Sequence, residues 1–600
     1  MAIKRTFGWV QNPGDISKLK SVVSIFLKGS KTNEWLVSSR LPLLLNYKLI
    51  SKEDFDLFVN ELVNDNIEIN YSLLKGKGSG SVSRKEAICT GIIQAVIDGQ
   101  QNKIYIDEIG DSITIKKPYT DDWTAEGFIR WAISCGFIDY DSKTDKCKIS
   151  ELGVKLANSI DSSVEEKEAF TNGLLSYPPV VRILSLLKVN DNQTKFELGA
   201  KIGFKGELGF TSIPQEVYLC DYEEAKTSKE KSDVRSNEEG DADKYARGIA
   251  SWCMQMGWVT AMPKNVEGIY RGKKYNGTIQ AYSITRQGEK ALITAKGNSS
   301  NKRLDKIVHF EMLASNKAYG SDYLRYERAT IIKSIAGSFK SLLQIKSSLM
   351  GYELNVDEAA IKDHIDGLIN IGLDIVEKDN KYKLLDNVKK LDIPEKNTFL
   401  KDDVNVIVDR VRAKLKNIDH KYLELISLAY SDASSKGRKN ADAREFEIKT
   451  ADLFINELGF EGMRLGDANR PDVIISKNNK GTIIDNKSYK DGFNINKHSA
   501  DEMSRYINEN NKKDKSLNPN CWWINFNANV NEFTFLFITS YLKGEYEKQL
   551  EYISRANNNI KGAAIGIENL LYLSEKIKNN EISYDDFYNK FRNKEIVEKC

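Results

Sequence analysis

One local grammar recurs three times in the first two-thirds of the chain, and it restricts the fold more than any other feature. Residues 125–157 read AEGFIRWAISCGFIDYDSKTDKCKISELGVKLA. An amphipathic helix stops at Gly136, an apolar strand starts at Phe137, and a polar turn leads to a second strand around Ile149. Gly153 and another helix follow. Residues 245–292 repeat the order: YARGIASWCMQMGWVTA closes its helix before Gly257, and AYSITRQGEKAL gives strand, Thr285, Gly288 and helix. A third copy spans residues 360–385, where HIDGLINIG ends at Gly372 and LDIVEKDNKYKLL makes the hairpin. Glycine lets a helix end in a left-handed turn, and two short β-prone runs around a polar loop make a hairpin. Together they form the closing half of a winged helix, a helix-turn-helix with a β-hairpin wing. Upstream of the second copy, TKFELGAKIG at 194–203 supplies a short helix and a small-residue turn. Winged helices bind DNA or other proteins, and three in tandem favour DNA.

Six hundred residues at 41% hydrophobic content can bury several cores, which bounds the chain at roughly three to five domains. Charged residues reach 29%, yet the net charge is only +3. A polyanionic partner must therefore be met by local segregation of charge. The N-terminal MAIKRTFGWVQNPGD has no apolar signal core, and no run approaches a membrane span, so a cytoplasmic chain with no membrane partner is expected. The seven cysteines are scattered without a CxxC pair and the four histidines lie far apart. A disulfide framework and structural zinc are both unexpected.

Several segments around the repeats carry chemistry suited to nucleic acid. Gly8-Trp9-Val10-Gln11-Asn12 joins an aromatic ring to two amides, and an amide can read adenine bidentately. GKGSGSVSR at 76–84 holds Lys77 and Arg84 among small residues. It is not a Walker A loop; it either lies along a nucleic-acid backbone or is a flexible surface loop. In RSNEEGDADKYAR (235–247), Glu238 and Glu239 either face outward or accept from a cytosine amino group. Residues 301–348 are basic and poor in acid, which suits phosphate contact or a solvated helical face.

After Leu385 the periodicity breaks, and a polar stretch containing Pro394 reads as a linker. Amphipathic helices follow at 405–429 and 443–458. Residues 468–492, ANRPDVIISKNNKGTIIDNKSYKDG, then give two β-branched strands joined by NNKG. Asp472 opens the first strand, and Asp485 and Lys487 sit on the second. Side chains alternate along a strand, so Asp485 and Lys487 share a face and Asn486 takes the other. Two carboxylates and an ammonium at one strand edge suit a metal-dependent phosphodiesterase: hard oxygens for Mg²⁺ and a lysine to polarise or orient water. A solvated hairpin is the plainer alternative, although strands this apolar should be buried. Glu447 could face the same site or be a surface carboxylate. On the helix at 499–510, Asp501 and Arg505 stand four apart. They form an intrahelical pair, or exchange reciprocally between two copies about a two-fold axis. Trp522 and Trp523 read as core, and the strand at 533–539 is expected to join the hairpin in a mixed sheet.

The chain resembles type IIS restriction endonucleases of the FokI family over essentially its whole length, the isoschizomer branch being the nearer likeness. The resemblance rests on RTFGWVQNPG, GFIRWAISCGFIDY, SYPPVVRIL, GFTSIP, DKYAR, RPD…DNK, ADEMSRYINEN, NPNCWW and FLFITSYLKGEYEKQL. It implies a multidomain α+β chain: tandem winged-helix recognition subdomains at 1–160, 161–300 and 301–386, a linker at 387–401, and an α/β PD-(D/E)xK nuclease at 402–600. It further implies Asp472 and Asp485 as metal ligands, Lys487 as the catalytic lysine, and Glu447 as a helix glutamate near the site. Asp501 and Arg505 match a dimer-interface pair, so a second copy is an expected partner. Gln11, Asn12, Arg84, Trp123, Glu239, Lys244 and Arg247 match DNA-contact positions. Ser236 stands where the family carries an asparagine, and Asn237 could take over that role. The implied target is GGATG duplex DNA cut to one side with Mg²⁺, alongside a cognate DNA methyltransferase. The rival is a DNA-binding regulator with a degenerate nuclease, against which the intact Asp472, Asp485 and Lys487 argue.

Overall fold

A computed structural model describes residues 5, 7–11, 14–77, 91–101, 104–106, 113–115, 122–270, 273–299, 301–394, 403–434, 441–466 and 469–598. Asn12 and Arg84 lie outside them, as do the side chains of Ser236 and Asn237.

The three copies of the repeat fold alike. Helices Asp122–Ser134, Asp241–Gln255 and Glu358–Asn370 each run into a glycine of positive φ: Gly136 at 74°, Gly257 at 72° and Gly372 at 108°. An antiparallel wing follows each: Ile138–Asp141 with Lys146–Ile149, Val259–Tyr270 with Lys273–Ile284, and Ile375–Lys378 with Lys381–Leu384. In every copy a short upstream strand (Glu68–Asn70, Gln193–Thr194 or Lys340–Ser341) pairs with the second wing strand. The first two copies share their exit as well. The Ser150 and Thr285 hydroxyls donate to the carbonyls of Gly136 and Gly257 at 2.6 and 2.7 Å, and cap the next helix by accepting from the Gly153 and Gly288 N–H groups. A Cβ at Gly153 or Gly288 would stand 2.1 Å from the carbonyl oxygen of Phe137 or Trp258, so each wing is closed by a glycine at its tightest point.

One continuous apolar core runs through all three units. Trp131 and Trp252, from the helices of the first two, stack at 4.3 Å and 17° in its centre. The basic stretch at 301–348 is not one solvated helical face. Its helix Ser321–Ile335 is largely buried, and Arg328 lies 3.6 Å over the Phe204 ring with Glu207 at 2.7 Å. One other expectation is revised. The polar stretch after Leu385 begins as ordered chain, because Val388–Lys389 pairs in parallel with Lys306–Ile307. The short helix expected at 194–203 is present as Lys195–Gly199, and helices Gln215–Glu224 and Ser228–Asn237 lie between it and Asp241–Gln255.

The C-terminal domain is a six-stranded sheet in chain order, Glu461–Arg464, Val473–Lys477, Lys480–Lys487, Glu532–Thr539, Lys561–Gly566 and Lys594–Glu595. Its first three strands are antiparallel and the rest parallel, the mixed sheet expected for 533–539. Helices cover both faces, a three-layer arrangement. Lys497–Lys512 and Tyr546–Ala556 pack with Ile474, Ile483, Phe535 and Phe537; Ala441–Asp452, Ile567–Lys578 and shorter helices pack with Val473, Ile475, Ile484 and Leu536. Trp522 and Trp523 belong to the first of these cores. The segment at 405–429 is not one helix but Asp403–Arg412, a 3₁₀ turn His420–Leu423 and Glu424–Ala429.

This domain is seated on the second and third winged units. Arg444 pairs with Asp221 at 2.6 Å and with Glu238, and Ile448 enters the apolar cluster of Phe196, Ile213 and Val217. The Thr211 hydroxyl donates to Glu445 at 3.2 Å. On the other side Asp363 receives both Arg412, at 3.0 Å, and His420, at 2.8 Å. Two titrations make this seat pH-sensitive in the same sense. Burial, with Glu424 beside it, pushes Glu445 up to about 8, and the bond to Asp363 raises His420. Both groups are favoured protonated in the seated form, so that part of the seating energy is complete at low pH and is lost as pH rises through the raised values. In the DNA-free protein the radius of gyration should therefore increase between about pH 6 and about pH 9, and Arg444→Ala should increase it at either pH. Small-angle scattering that gave one radius for all four conditions would rule this out.

Candidate active site

The register of one hairpin builds the site. Val473 pairs with Ile484 and Ile474 with Ile483, so the next step of the same antiparallel register places Asp472 opposite Asp485. Ile474 and Ile483 face helix Lys497–Lys512, and alternation puts Asp472, Asp485 and Lys487 on that side. Asn486 takes the other side: its amide donates to Thr450 Oγ1 at 2.7 Å and to the Phe446 carbonyl at 3.3 Å, tying the strand to helix Ala441–Asp452. This tie keeps Asn486 out of the acidic cluster.

Asp472 Oδ2 accepts from the Asn486 backbone N–H at 2.7 Å. Asp485 is 3% exposed. Its Oδ2 lies 2.9 Å from Lys487 Nζ, but the ammonium is not aligned for a hydrogen bond and this buried oxygen makes none. Glu447, on helix Ala441–Asp452, is held at Oε2 by Arg464 Nε at 2.9 Å and Nη2 at 2.8 Å. Burial, then the charges of Glu447 and Asp485, hold Asp472 far above the usual carboxylate range. Burial also raises Asp485, with Lys487 opposing and Glu502 adding to the rise. Burial works against the Lys487 charge, but Asp485, Asp472 and Glu502 outweigh it and lift its pKa. Like charges directly opposite across two strands are destabilising unless a cation or proton lies between them. Among the described residues no set of three or more His, Cys, Asp or Glu side chains forms a metal cage. The donor set is two facing carboxylates, enough for a Mg²⁺-type ion that takes the rest of its shell from water and phosphate.

Glu502, which the sequence did not single out, enters from helix Lys497–Lys512 with its Oε2 3.6 Å from Lys487 Nζ. The signal was present, since Glu502 lies one turn before Tyr506 on a helix already assigned, but only packing shows which face meets the strand. Asp501 and Arg505 do not pair with each other within the chain. Asp501 is exposed and accepts from the Tyr552 hydroxyl at 3.3 Å, while Arg505 sits 3.8 Å from Glu502 and 3.7 Å from Glu509.

The residues expected to contact DNA are split. Gln11 donates to Asp241 Oδ1 at 3.2 Å, Lys244 lies 3.6 Å from that oxygen, and Lys317 reaches Oδ2 at 2.6 Å. Asp241 thus gathers an arm, a helix and a loop from three units, and neither it nor Lys317 was foreseen. With Trp123, 65% exposed, Gln11, Asp241 and Lys317 line a cleft of about 260 Å³. Glu239 is only 6% exposed, is paired with Lys195 and receives Arg247 Nε at 3.0 Å. It therefore does not face outward. Glu238 faces Arg444, not solvent. Asn12 and Arg84 lie outside the described residues, as does the side chain of Asn237.

Three winged units joined to this mixed-sheet domain match type II restriction enzymes along the whole chain. Family models match in order along the chain: the FokI recognition domain subdomain 1 at 5–159, subdomain 2 at 166–300, the D3 domain at 313–380 and the FokI cleavage domain at 401–598. The chain belongs to the FokI family. It is 36% identical to the type II restriction enzyme FokI of Planomicrobium okeanokoites, over 99% of each chain, and 28% identical to the type II restriction enzyme StsI of Streptococcus sanguinis, over 95% of this chain and 92% of that one. A structure of restriction endonuclease FokI superposes with a TM-score of 0.85, and one of FokI bound to DNA with 0.86. Both are 35% identical and cover 99% of this chain and all of theirs. The fold class expected from the sequence is the one found, and the degenerate-nuclease regulator is set aside.

The facing carboxylates make a prediction about stability. A carboxyl whose pKa is raised by folding binds its proton more tightly in the native state, so its ionisation lowers stability once pH passes its unfolded value near ~4. In EDTA at neutral pH, Asp472→Asn should raise the melting midpoint, by roughly 2–4 °C for each kcal/mol relieved. The gain should vanish below about pH 4. Calorimetry showing a lower midpoint at neutral pH would refute the strained-pair account.

Proposed function

We propose that this protein is a type IIS endonuclease that binds a short asymmetric duplex DNA site and hydrolyses both strands at a fixed distance to one side. The observation that carries this reading is the Asp472–Asp485–Lys487 group at the end of the central hairpin, on a domain separate from three winged units. GGATG is the expected site by family likeness. Gln11, Trp123, Glu239, Lys244 and Arg247, with Asn12, Arg84 and Asn237, are the proposed DNA contacts. The likeness to FokI in its DNA-bound structure, together with the exposed cleft at Gln11 and Trp123, supports duplex DNA as partner.

In the proposed chemistry Asp472 and Asp485 would hold Mg²⁺, for which two facing hard oxygens and an unbonded buried carboxylate oxygen are a suitable donor set. Bound there, the ion would supply charge neutralisation at the scissile phosphate. Lys487 keeps its proton beside three carboxylates, so it acts as a fixed cation that binds a phosphate oxygen or orients the attacking water, not as a base. The oxygen of water bonds to phosphorus, one P–O ester bond breaks, and the proton lost by the water passes through solvent to the departing sugar oxygen, leaving a phosphate monoester end and a hydroxyl end. Glu447, clamped by Arg464, completes the negative rim of the catalytic group. The Asn486 tie to Thr450 keeps the strand seated against helix Ala441–Asp452, and with it the spacing of the two acids.

One such group cuts one strand. A second copy is therefore the proposed partner, engaged through Asp501 and Arg505. The exposed Asp501 and the half-exposed Arg505, each only loosely bonded within its own chain, support that exchange. A cognate methyltransferase is the functional partner that such an activity requires of its host.

The primary test is plasmid cleavage with Mg²⁺ and with EDTA, followed by end sequencing. Staggered ends at one offset from one asymmetric sequence, in Mg²⁺ only, are expected; binding without cleavage would overturn the nuclease assignment. Asp485→Ala should lower cleavage by at least about a thousandfold and leave site binding intact. Asp501→Ala and Arg505→Ala should raise the enzyme concentration at half-maximal double-strand cutting. Wild-type rates from either at low concentration would remove the interface.

A further inference from the structure

Helix Lys497–Lys512 touches both the cutting site and the proposed interface, and one carboxylate lies between them. Glu502 Oε2 is 3.6 Å from Lys487 Nζ, which also lies 2.9 Å from Asp485 Oδ2. Glu502 Oε1 accepts from the Tyr506 hydroxyl at 3.2 Å and lies 3.8 Å from Arg505 Nη2. Arg505 is loosely held: its guanidinium rests 4.7 Å over the Tyr506 ring, between Glu502 and Glu509. Glu509 is committed elsewhere, since its Oε2 accepts from Trp522 Nε1 at 2.7 Å and from Asn518 at 3.0 Å. Glu502 is then the one carboxylate shared by Lys487 and Arg505 among the described residues. Two cations compete for it, one belonging to the chemistry and one to the partner.

We infer that Glu502 is a positioning residue that steadies the Lys487 ammonium, and that a second copy, by drawing Arg505 onto its own Asp501, releases Glu502 to Lys487 and so speeds strand cutting in the paired state. The inference rests on the reading of residues 472–487 as the cutting site and of Asp501 and Arg505 as the interface. It adds that pairing does more than deliver a second active site: it alters the first. A half-exposed arginine between two carboxylates at 3.7–3.8 Å is weakly bound, so a fresh carboxylate can capture it. A carboxylate relieved of one cation then interacts more strongly with the other. Tyr506 fixes which way Glu502 points during the exchange.

The test separates two numbers from the concentration dependence of DNA cutting in Mg²⁺: the plateau rate at saturating enzyme, and the concentration at half-plateau. Glu502→Gln, which keeps shape and removes charge, should lower the plateau about 10- to 100-fold, as loss of an outer partner does at such sites. It should leave the half-plateau concentration and DNA retention unchanged. Glu502→Asp, which keeps the charge, should recover part of the rate, and melting midpoints check that both variants fold. Asp501→Ala should raise the half-plateau concentration and also lower the plateau, because Arg505 then stays on Glu502 in the pair. Adding Arg505→Ala to it should restore the plateau without restoring the half-plateau concentration. In a Glu502→Gln background, Asp501→Ala should move the half-plateau concentration alone. A wild-type plateau for Glu502→Gln, or no recovery in the Asp501→Ala/Arg505→Ala double variant, would overturn the inference. A wild-type protein that never cuts, or cuts with no dependence on its own concentration, would fail the underlying reading instead.

Discussion

The cutting domain depends on the register between Val473–Lys477 and Lys480–Lys487. That register is pinned from both sides, with Ile474 and Ile483 in one core and Val473, Ile475 and Ile484 in the other. A slip of one residue would turn Asp485 and Lys487 into the layer now held by Asn486 and would put isoleucines in the wrong core, so hydrophobic burial enforces the geometry of the charges. The cost of that precision is two buried carboxylates face to face, a local instability that folding tolerates because both flanking strands are anchored along their length. Strand Glu532–Thr539 pairs with every residue from Lys480 to Lys487 and leaves the acidic end no freedom to fray.

The recognition half obeys a different constraint. Its three winged units pool one core, with Trp131 stacked on Trp252 where the first two meet. Asp241 does at the surface what that stack does inside, collecting Gln11, Lys244 and Lys317 around one carboxylate. The backbone N–H of Asp241 donates to Thr211 Oγ1 at 3.4 Å, and the Thr211 hydroxyl donates to Glu445 of the cutting domain. A short chain of contacts thus runs from the proposed DNA face to the seat of the nuclease. Charge that the overall balance conceals, a net of only +3, is here used between domains, as Arg444 with Asp221 and Glu238 shows.

Much was legible in the residues. The helix–glycine–hairpin repeats, the alternation of Asp485, Asn486 and Lys487, the core role of Trp522 and Trp523, and the mixed sheet all follow from local rules: glycine ends helices, β-branched residues favour strands, and side chains alternate. Where local rules misled, the cause was a contact distant in sequence. Glu239 read as outward-facing or as an acceptor for cytosine, and in the chain without DNA it is the shared acceptor of Lys195 and Arg247. The basic stretch at 301–348 looked solvated, but Arg328 is stacked on Phe204 and paired with Glu207. Val388 looked like linker, but a partner strand more than eighty residues earlier, at Lys306–Ile307, orders it.

By itself, then, the sequence determined the winged repeats, the faces of the hairpin at 473–487 and the separation of recognition from cutting, because these depend on neighbours within a few residues. Only the tertiary structure decided that Asp472 stands across from Asp485, that Asn486 is moored to Thr450, that Glu502 lies between Lys487 and Arg505, and that the cutting domain rests on Asp221, Glu238 and Asp363. Each of these is a choice of partner, and electrostatic and hydrogen-bond partners are assigned by packing in space, on which the spacing of residues along the chain is silent.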